Sequence, residues 1–304
     1  MRGLEVPGMM GHFVATFKII FSNWKLFLPL VVVAAVMGVV LVGLMSEDTY
    51  RQFQGILDTT AAQTGAGNIG YAAKAGLLLI STVTTGGLAG ESSEAAGVFA
   101  ILIFLMLWLV TIFLLRHRLA GHAVKLRDGL YNAMTPLISS LAVFVVAAVQ
   151  CIPIFILIIA YSAAVQTEFL ATPFYALLFF VFAALMVILS GYLLSSTLMA
   201  LVAVSAPGMY PLRALTAASD LMAGRRIRFC LRLVALIIML VVMWAVIMLP
   251  LIMFDLWMKQ FEWTAVIPFI PICLLILSCF TGIYITAYIY LYYRYILDYK
   301  EENE

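Results

Sequence analysis

Six long apolar segments constrain what this chain can fold into more than any other feature of its sequence. They cover approximately residues 26–45, 95–115, 136–160, 174–204, 231–254 and 265–293. A helix rises 1.5 Å per residue, so about 20 residues cross a hydrocarbon core of roughly 30 Å. Lipid offers the backbone no hydrogen-bond partner, which favours helices. We therefore predict an all-α integral membrane fold with six transmembrane helices.

The composition supports lipid as the main surrounding of the chain. Hydrophobic residues make up 65% of the 304 residues and charged residues 11%. A soluble domain is about half apolar and roughly a quarter charged, and it needs a polar surface. The net charge of +2 gives no indication of a nucleic-acid partner, so the lipid bilayer is the expected one.

The distribution of Lys and Arg predicts the orientation. With the N-terminus inside, only Arg51, Lys74 and Lys259 of the 17 cationic residues lie outside. Cytoplasmic loops of membrane proteins carry an excess of Lys and Arg. We expect residues 1–304 to form one polytopic domain of the cytoplasmic (inner) membrane, with both termini inside. An outer loop would cover 46–94, and a charged C-terminal tail 294–304.

Residues 75–90 are apolar but short, and they are rich in Gly and Thr. If they crossed the membrane, Arg116 and Arg118 would move to the outside, against the charge rule. We expect an interfacial or a re-entrant helix here, and the sequence leaves both open.

Three amphipathic stretches, 9–25, 117–133 and 210–228, precede the three pairs of spans on the inner side. A shift of 107 residues aligns Lys18 with Lys125. The pattern indicates surface helices before each helical hairpin. A three-fold internal repeat and a chance match in apolar sequence both remain open.

The densest charge cluster contains Arg225, Arg226, Arg228 and Arg232. On a helix Arg225, Arg228 and Arg232 share one face. Anionic lipid attracts each basic residue near the surface by about 1 kcal/mol. We interpret the four as a possible anionic-lipid contact, and the alternative is a topology signal without selectivity.

Other motifs give no site. Residues 65–70, GAGNIG, lack the preceding strand that a dinucleotide fingerprint requires, so we predict no cofactor. Glu91 and Glu94 precede the second span and are interpreted as helix-capping residues. On one helix His117 and His122 would lie about 140° apart, poorly placed for a shared metal ion.

The remaining polar and aromatic residues also indicate structure rather than chemistry. His12 has no partner pattern, and Gln150 is the main polar side chain inside a span. No nucleophile motif is present, so we predict that the protein is not an enzyme. Tyrosines crowd the end of the last span, where we expect an interfacial belt: Tyr284, Tyr288, Tyr290, Tyr292, Tyr293 and Tyr295.

The segment PLRALTAASDLMAGRRIRFCLRLVALIIML and the elbow Ser22, Asn23, Trp24 and Lys25 carry a resemblance. They resemble a pattern in bacterial six-span proteins, including the membrane domain associated with glycerophosphoryl diester phosphodiesterases. The resemblance implies an amphipathic helix leading through a Gly-basic turn into a span. The catalytic domain of those proteins is not in this sequence, so the resemblance implies no activity.

Two classes of function fit these observations. The first is a non-catalytic envelope scaffold, partner subunit or lipid-interacting protein, favoured by the absence of charges at the centres of the spans. The alternative is a permease or lipid transporter of unknown substrate, which movement of a substrate across vesicles would establish.

Overall fold

The computed structural model of the chain describes residues 8–42, 94–167, 172–206, 208–258 and 269–301. Within these ranges the regular structure is entirely helical, which confirms the predicted class. The helices are α1 (Met9–Ser22), α2 (Trp24–Leu41), α3 (Glu94–Leu119), α4 (Leu126–Ala133), α5 (Leu137–Gln150), α6 (Ile152–Gln166), α7 (Pro173–Ala203), α8 (Pro211–Leu221), α9 (Arg226–Met258) and α10 (Phe269–Glu301).

Five stretches of these helices are long and apolar enough to cross a membrane. They are Trp24–Leu41, Gly97–Leu119, Pro173–Ala203, Arg226–Met248 and Phe269–Asp298. Helices α4 and α5 qualify together but are bent by 69°, and counting them as one span raises the number to six. The described part of the chain therefore has the helices of an integral membrane protein.

The segment 136–160, predicted as one span, forms two helices that meet at Cys151. Pro153 has no backbone N–H, and the N–H of Ile154 donates to the carbonyl of Cys151 at 3.0 Å. The carbonyl of Gln150 instead accepts a hydrogen bond of 2.6 Å from the Ser190 hydroxyl on α7. A neighbouring helix thus satisfies the backbone group that the break leaves, as membrane helices require.

Helices α3 and α10 lie at the centre of the helix packing. Helix α3 contacts α2, α4, α5 and α10, and α10 also contacts α1, α2, α7 and α9. A Cβ atom on Gly282 of α10 would lie 3.1 Å from Leu107 Cδ2 on α3. The small residue therefore permits close packing of the two helices.

Helices α7 and α9 carry the apolar surface that faces away from the protein. Phe174, Ile188 and Val246 are 69%, 71% and 65% exposed. A contiguous apolar surface of this kind is costly in water. Such an exposed apolar surface is compatible with the hydrocarbon core of a membrane.

The short helices α1, α4 and α8 directly precede α2, α5 and α9 along the chain. This is the order that the amphipathic stretches predict, although the stretch 117–133 begins with the last turn of α3. The three-fold repeat stays a prediction. Helix α10 continues to Glu301, so residues 294–301 of the predicted tail are helical.

The predicted belt of tyrosines is wrong for most of its members. Tyr284, Tyr288, Tyr290 and Tyr292 are buried, none more than 5% exposed. They lie on α10, which its neighbours surround. Their rings pack inside the protein rather than against headgroups, because the last span is the central helix and not a peripheral one.

Several predictions fall outside the described residues. These are the outer loop up to residue 93, the apolar segment 75–90, the motif at 65–70, and Glu91. The described part of α3 starts at Glu94, and the capping role of Glu91 and Glu94 stays a prediction.

Candidate functional site

The basic residues of the described chain lie at helix ends that meet at one end of the bundle. Arg118 at the end of α3 donates from Nε to Asn23 Oδ1 at the start of α2, at 2.9 Å. Arg116 donates to Ser205 just after α7 at 3.3 Å. We call this region the basic end, defined by Lys18, Lys25, Arg116, Arg118, Arg225, Arg226, Arg228, Arg232 and Arg294.

Two of the four arginines interpreted as a lipid contact have their side chains against other parts of the protein. Arg226 donates to Ser219 at 2.7 Å, and its guanidinium lies 4.7 Å from the centre of the Tyr192 ring. Arg232 lies 5.0 Å from the centre of the Tyr292 ring. Both side chains therefore make contacts within the protein.

Arg225 precedes α9, whereas Arg228 and Arg232 lie within its first turns, so the shared face of Arg225, Arg228 and Arg232 stays a prediction. Arg225, Arg228 and Arg232 all act electrostatically on Tyr292. Arg228 is exposed at the surface of α9. Of the four, it is the one whose position best suits contact with a headgroup.

Sequence reasoning missed His12, which is the most buried titratable side chain of α1. The ring is fully buried, and its Nε2 lies 3.2 Å from the carbonyl oxygen of Tyr288. The ring centroids of Tyr288 and Tyr295 lie 4.4 and 5.5 Å from that of His12. Tyr288 is 276 residues away in sequence, so no local spacing could reveal this contact.

One signal in the sequence does point to the burial of His12. Thr16 and Ile20 follow it at i+4 and i+8, and the structure buries all three. This spacing marks one face of a helix. The Thr16 hydroxyl donates to the His12 carbonyl at 2.8 Å, so this hydroxyl is paired within α1.

The pKa of His12 is lowered from 6.5 to about 4, chiefly by burial; the bond to the Tyr288 carbonyl acts in the opposite direction, and the nearby Arg232 guanidinium contributes to the lowering. Within the described residues, Nδ1 is buried without a hydrogen-bond partner. A neutral ring with its proton on Nε2 therefore fits the site. His12 joins α1 to α10 as a neutral donor.

The structure corrects the geometry assumed for His117 and His122. Their ring centroids are 6.5 Å apart, because α3 ends at Leu119 and Gly121 turns the chain with φ of 82°. His117 Nδ1 lies 2.9 Å from the Phe113 carbonyl. Among the described residues no group of three potential ligands could hold a metal ion.

A small polar cluster lies where α5 meets α7. The Thr197 hydroxyl donates to Gln150 Oε1 at 2.6 Å, next to the bond from Ser190 to the Gln150 carbonyl. The cluster thus uses the one intramembrane amide that the sequence singled out. Its role is to join α5 to α7 where the helix breaks.

Comparison of the chain with protein-family models, with curated proteins and with solved structures gives no match.

Proposed function

We propose that this protein is a non-catalytic, multi-pass protein of the cytoplasmic membrane that binds anionic lipid headgroups at its basic end. One observation supports it most: the cations gather at one end of a bundle whose α7 and α9 expose apolar side chains. A cationic rim beside a lipid-exposed surface lies at headgroup depth. Anionic headgroups are attracted there by each nearby Lys or Arg.

The proposed topology has six spans, and its third is made of α5 and α6 rather than of the bent pair α4 and α5. Contacts along α7 support this pairing, because Gln150 bonds Ser190 and the rings of Tyr161 and Phe179 lie 6.2 Å apart. Helices α5 and α6 thus both pack antiparallel to α7, which supports treating them as one span. The positive-inside rule then places the basic end and both termini in the cytoplasm.

Reporter fusions test the topology independently of lipid binding. Fusions after Gly67 and Lys259 should report an outside position, and fusions after Gly129 and Gly208 an inside position. Outside signals at Gly129 or Gly208 would contradict the proposed orientation.

Measuring which lipids the protein retains tests the proposed binding of anionic headgroups. The full-length protein is reconstituted in nanodiscs of phosphatidylcholine and phosphatidylglycerol, and the lipids that it retains on transfer to detergent are identified by native mass spectrometry. We expect preferential retention of phosphatidylglycerol, weakened by salt and by Arg228→Gln. Thr167→Gln, at the far end of α6, is the matched control and should leave the preference unchanged.

Two results would count against this function. Equal retention of the two lipids by the wild type would exclude selective binding. Movement of labelled lipid across vesicles by the purified protein would favour the transporter instead.

A further inference from the structure

The elbow between α1 and α2 forms a cleft with the end of α3. Asn23 separates the two helices, and both polar atoms of its side-chain amide form hydrogen bonds. Nδ2 donates to the Ile19 carbonyl at 2.9 Å, and Oδ1 accepts from Arg118 Nε at 2.9 Å. The amide thereby holds the Arg118 guanidinium over the elbow.

This arrangement leaves one edge of Arg118 suited to an oxyanion. Nε is used by Asn23, whereas the two Nη groups make no hydrogen bond to the rest of the described chain. A pair of parallel N–H donors matches two oxygens of a phosphate or carboxylate. The guanidinium is therefore positioned before any ligand arrives.

Two cavities of about 380 and 440 Å³ lie along this elbow, and both are lined by Ser22, Asn23 and Arg118. Lys18 lines the first and Lys25 the second. We call this surface the elbow cleft. Three cations surround it, and no carboxylate is among the described residues that line it.

The rest of the lining is apolar. Ile19, Leu115 and Leu119 line the first cavity, and Leu26 lines the second. Trp24, which is 54% exposed, also borders the second. A half-exposed tryptophan beside lysines is typical of the membrane interface, so the cleft combines a cationic wall with an apolar floor at headgroup depth.

We propose that the elbow cleft binds the phosphate of an anionic phospholipid, with Arg118 as the bidentate contact and Lys18 and Lys25 as flanking charges. The apolar floor receives the start of the acyl chains, which a soluble phosphate ester does not have. This inference rests on the proposed function and names the site for it. Asn23 is a positioning residue, because it acts through Arg118.

Quenching of Trp24 by brominated lipid tests the site directly. The full-length protein is placed in nanodiscs in which either phosphatidylglycerol or phosphatidylcholine carries bromine on its acyl chains. The difference in quenching between the wild type and Trp24→Phe isolates Trp24 from the other tryptophans. We expect brominated phosphatidylglycerol to quench Trp24 more than brominated phosphatidylcholine does.

Removing a cation should weaken this association. Arg118→Gln should reduce the relative affinity for phosphatidylglycerol at Trp24 about five-fold, the effect of one interfacial charge. The double variant Lys18→Gln/Lys25→Gln keeps the elbow bond of Arg118 and should cause a loss at least as large. Arg127→Gln removes an exposed cation outside the cleft and is the matched control.

The outcomes separate this site from the proposed function. If the wild type retains phosphatidylglycerol but neither cleft variant changes the quenching of Trp24, the elbow cleft is wrong and lipid binding elsewhere stands. If the wild type shows no preference by either measurement, the proposed function fails too. If glycerol 3-phosphate relieves the quenching while the nanodisc stays intact, the cleft binds soluble phosphate esters, which overturns the assignment to lipid.

Discussion

The buried ring of His12 predicts that acid loosens α1 from α10. The folded state holds the ring neutral, with its pKa lowered from 6.5 to about 4 by burial. Protonation would place a cation among Tyr288, Tyr292 and Tyr295, within range of Arg232. None of these groups supplies a negative charge at neutral pH.

The direction in which stability changes with pH follows from proton binding to His12. Because the folded pKa lies below the unfolded one, the unfolded state binds a proton more readily between pH 6.5 and 4. The stabilisation from the neutral ring is complete above pH 6.5 and is lost as the pH falls towards 4. From this shift we expect a loss of about 2 kcal/mol by pH 5 and roughly 3 kcal/mol in full.

Thermal unfolding of the full-length protein in detergent, followed by tryptophan fluorescence between pH 8 and pH 5, measures this loss. We expect Tm to fall by about 5 °C over this range in the wild type. His12→Phe and His12→Gln should flatten the dependence, and His122→Gln should retain it because His12 is intact. An equal fall in Tm for wild type and His12→Phe would refute the reasoning.

Two packing predictions use the same measurement at neutral pH. In Gly129→Ala the new Cβ would lie 2.9 Å from Leu114 Cδ2, and Leu114 is fully buried. Overpacking of about 1–3 kcal/mol should exceed the gain in helix propensity of about 1 kcal/mol, so Tm should fall by a few degrees; an increase would show that Leu114 can move aside. Thr197→Val leaves Gln150 Oε1 without the hydroxyl that it accepts from and should cost about 1–3 kcal/mol. Ser196→Ala, which removes a hydroxyl bonded within its own helix, is its control, and equal losses in the two variants would show that the bond to Gln150 carries no special weight.

The sequence was sufficient where one local property decides the structure. Apolar length predicts α2, α3, α7, α9 and α10, because a segment surrounded by lipid has to form a helix. The described bounds differ from the predicted ones by one to eight residues. Length could not locate the break at Cys151, because the compensating hydroxyl comes from Ser190 on another helix.

The candidate site was less predictable, because it depends on contacts between distant segments. Periodicity predicts one face for Arg225, Arg228 and Arg232, but it cannot show that Arg232 lies against Tyr292. Asn23 and Arg118 lie 95 residues apart in sequence. Only the packing of the first elbow against the end of α3 brings them together.

The length of α10 explains why charged and aromatic groups concentrate at one end. Its apolar stretch Phe269–Asp298 has 30 residues, or about 45 Å of helix. To fit a core of roughly 30 Å, a straight helix of that length would tilt by about 48°, beyond the observed range of about 0–40°. In the proposed topology part of α10 leaves the hydrocarbon, and α1 packs along it from Phe280 to Tyr295. In the proposed topology, the covered tyrosines, the neutral His12 and the basic elbow form one helical layer at the membrane surface.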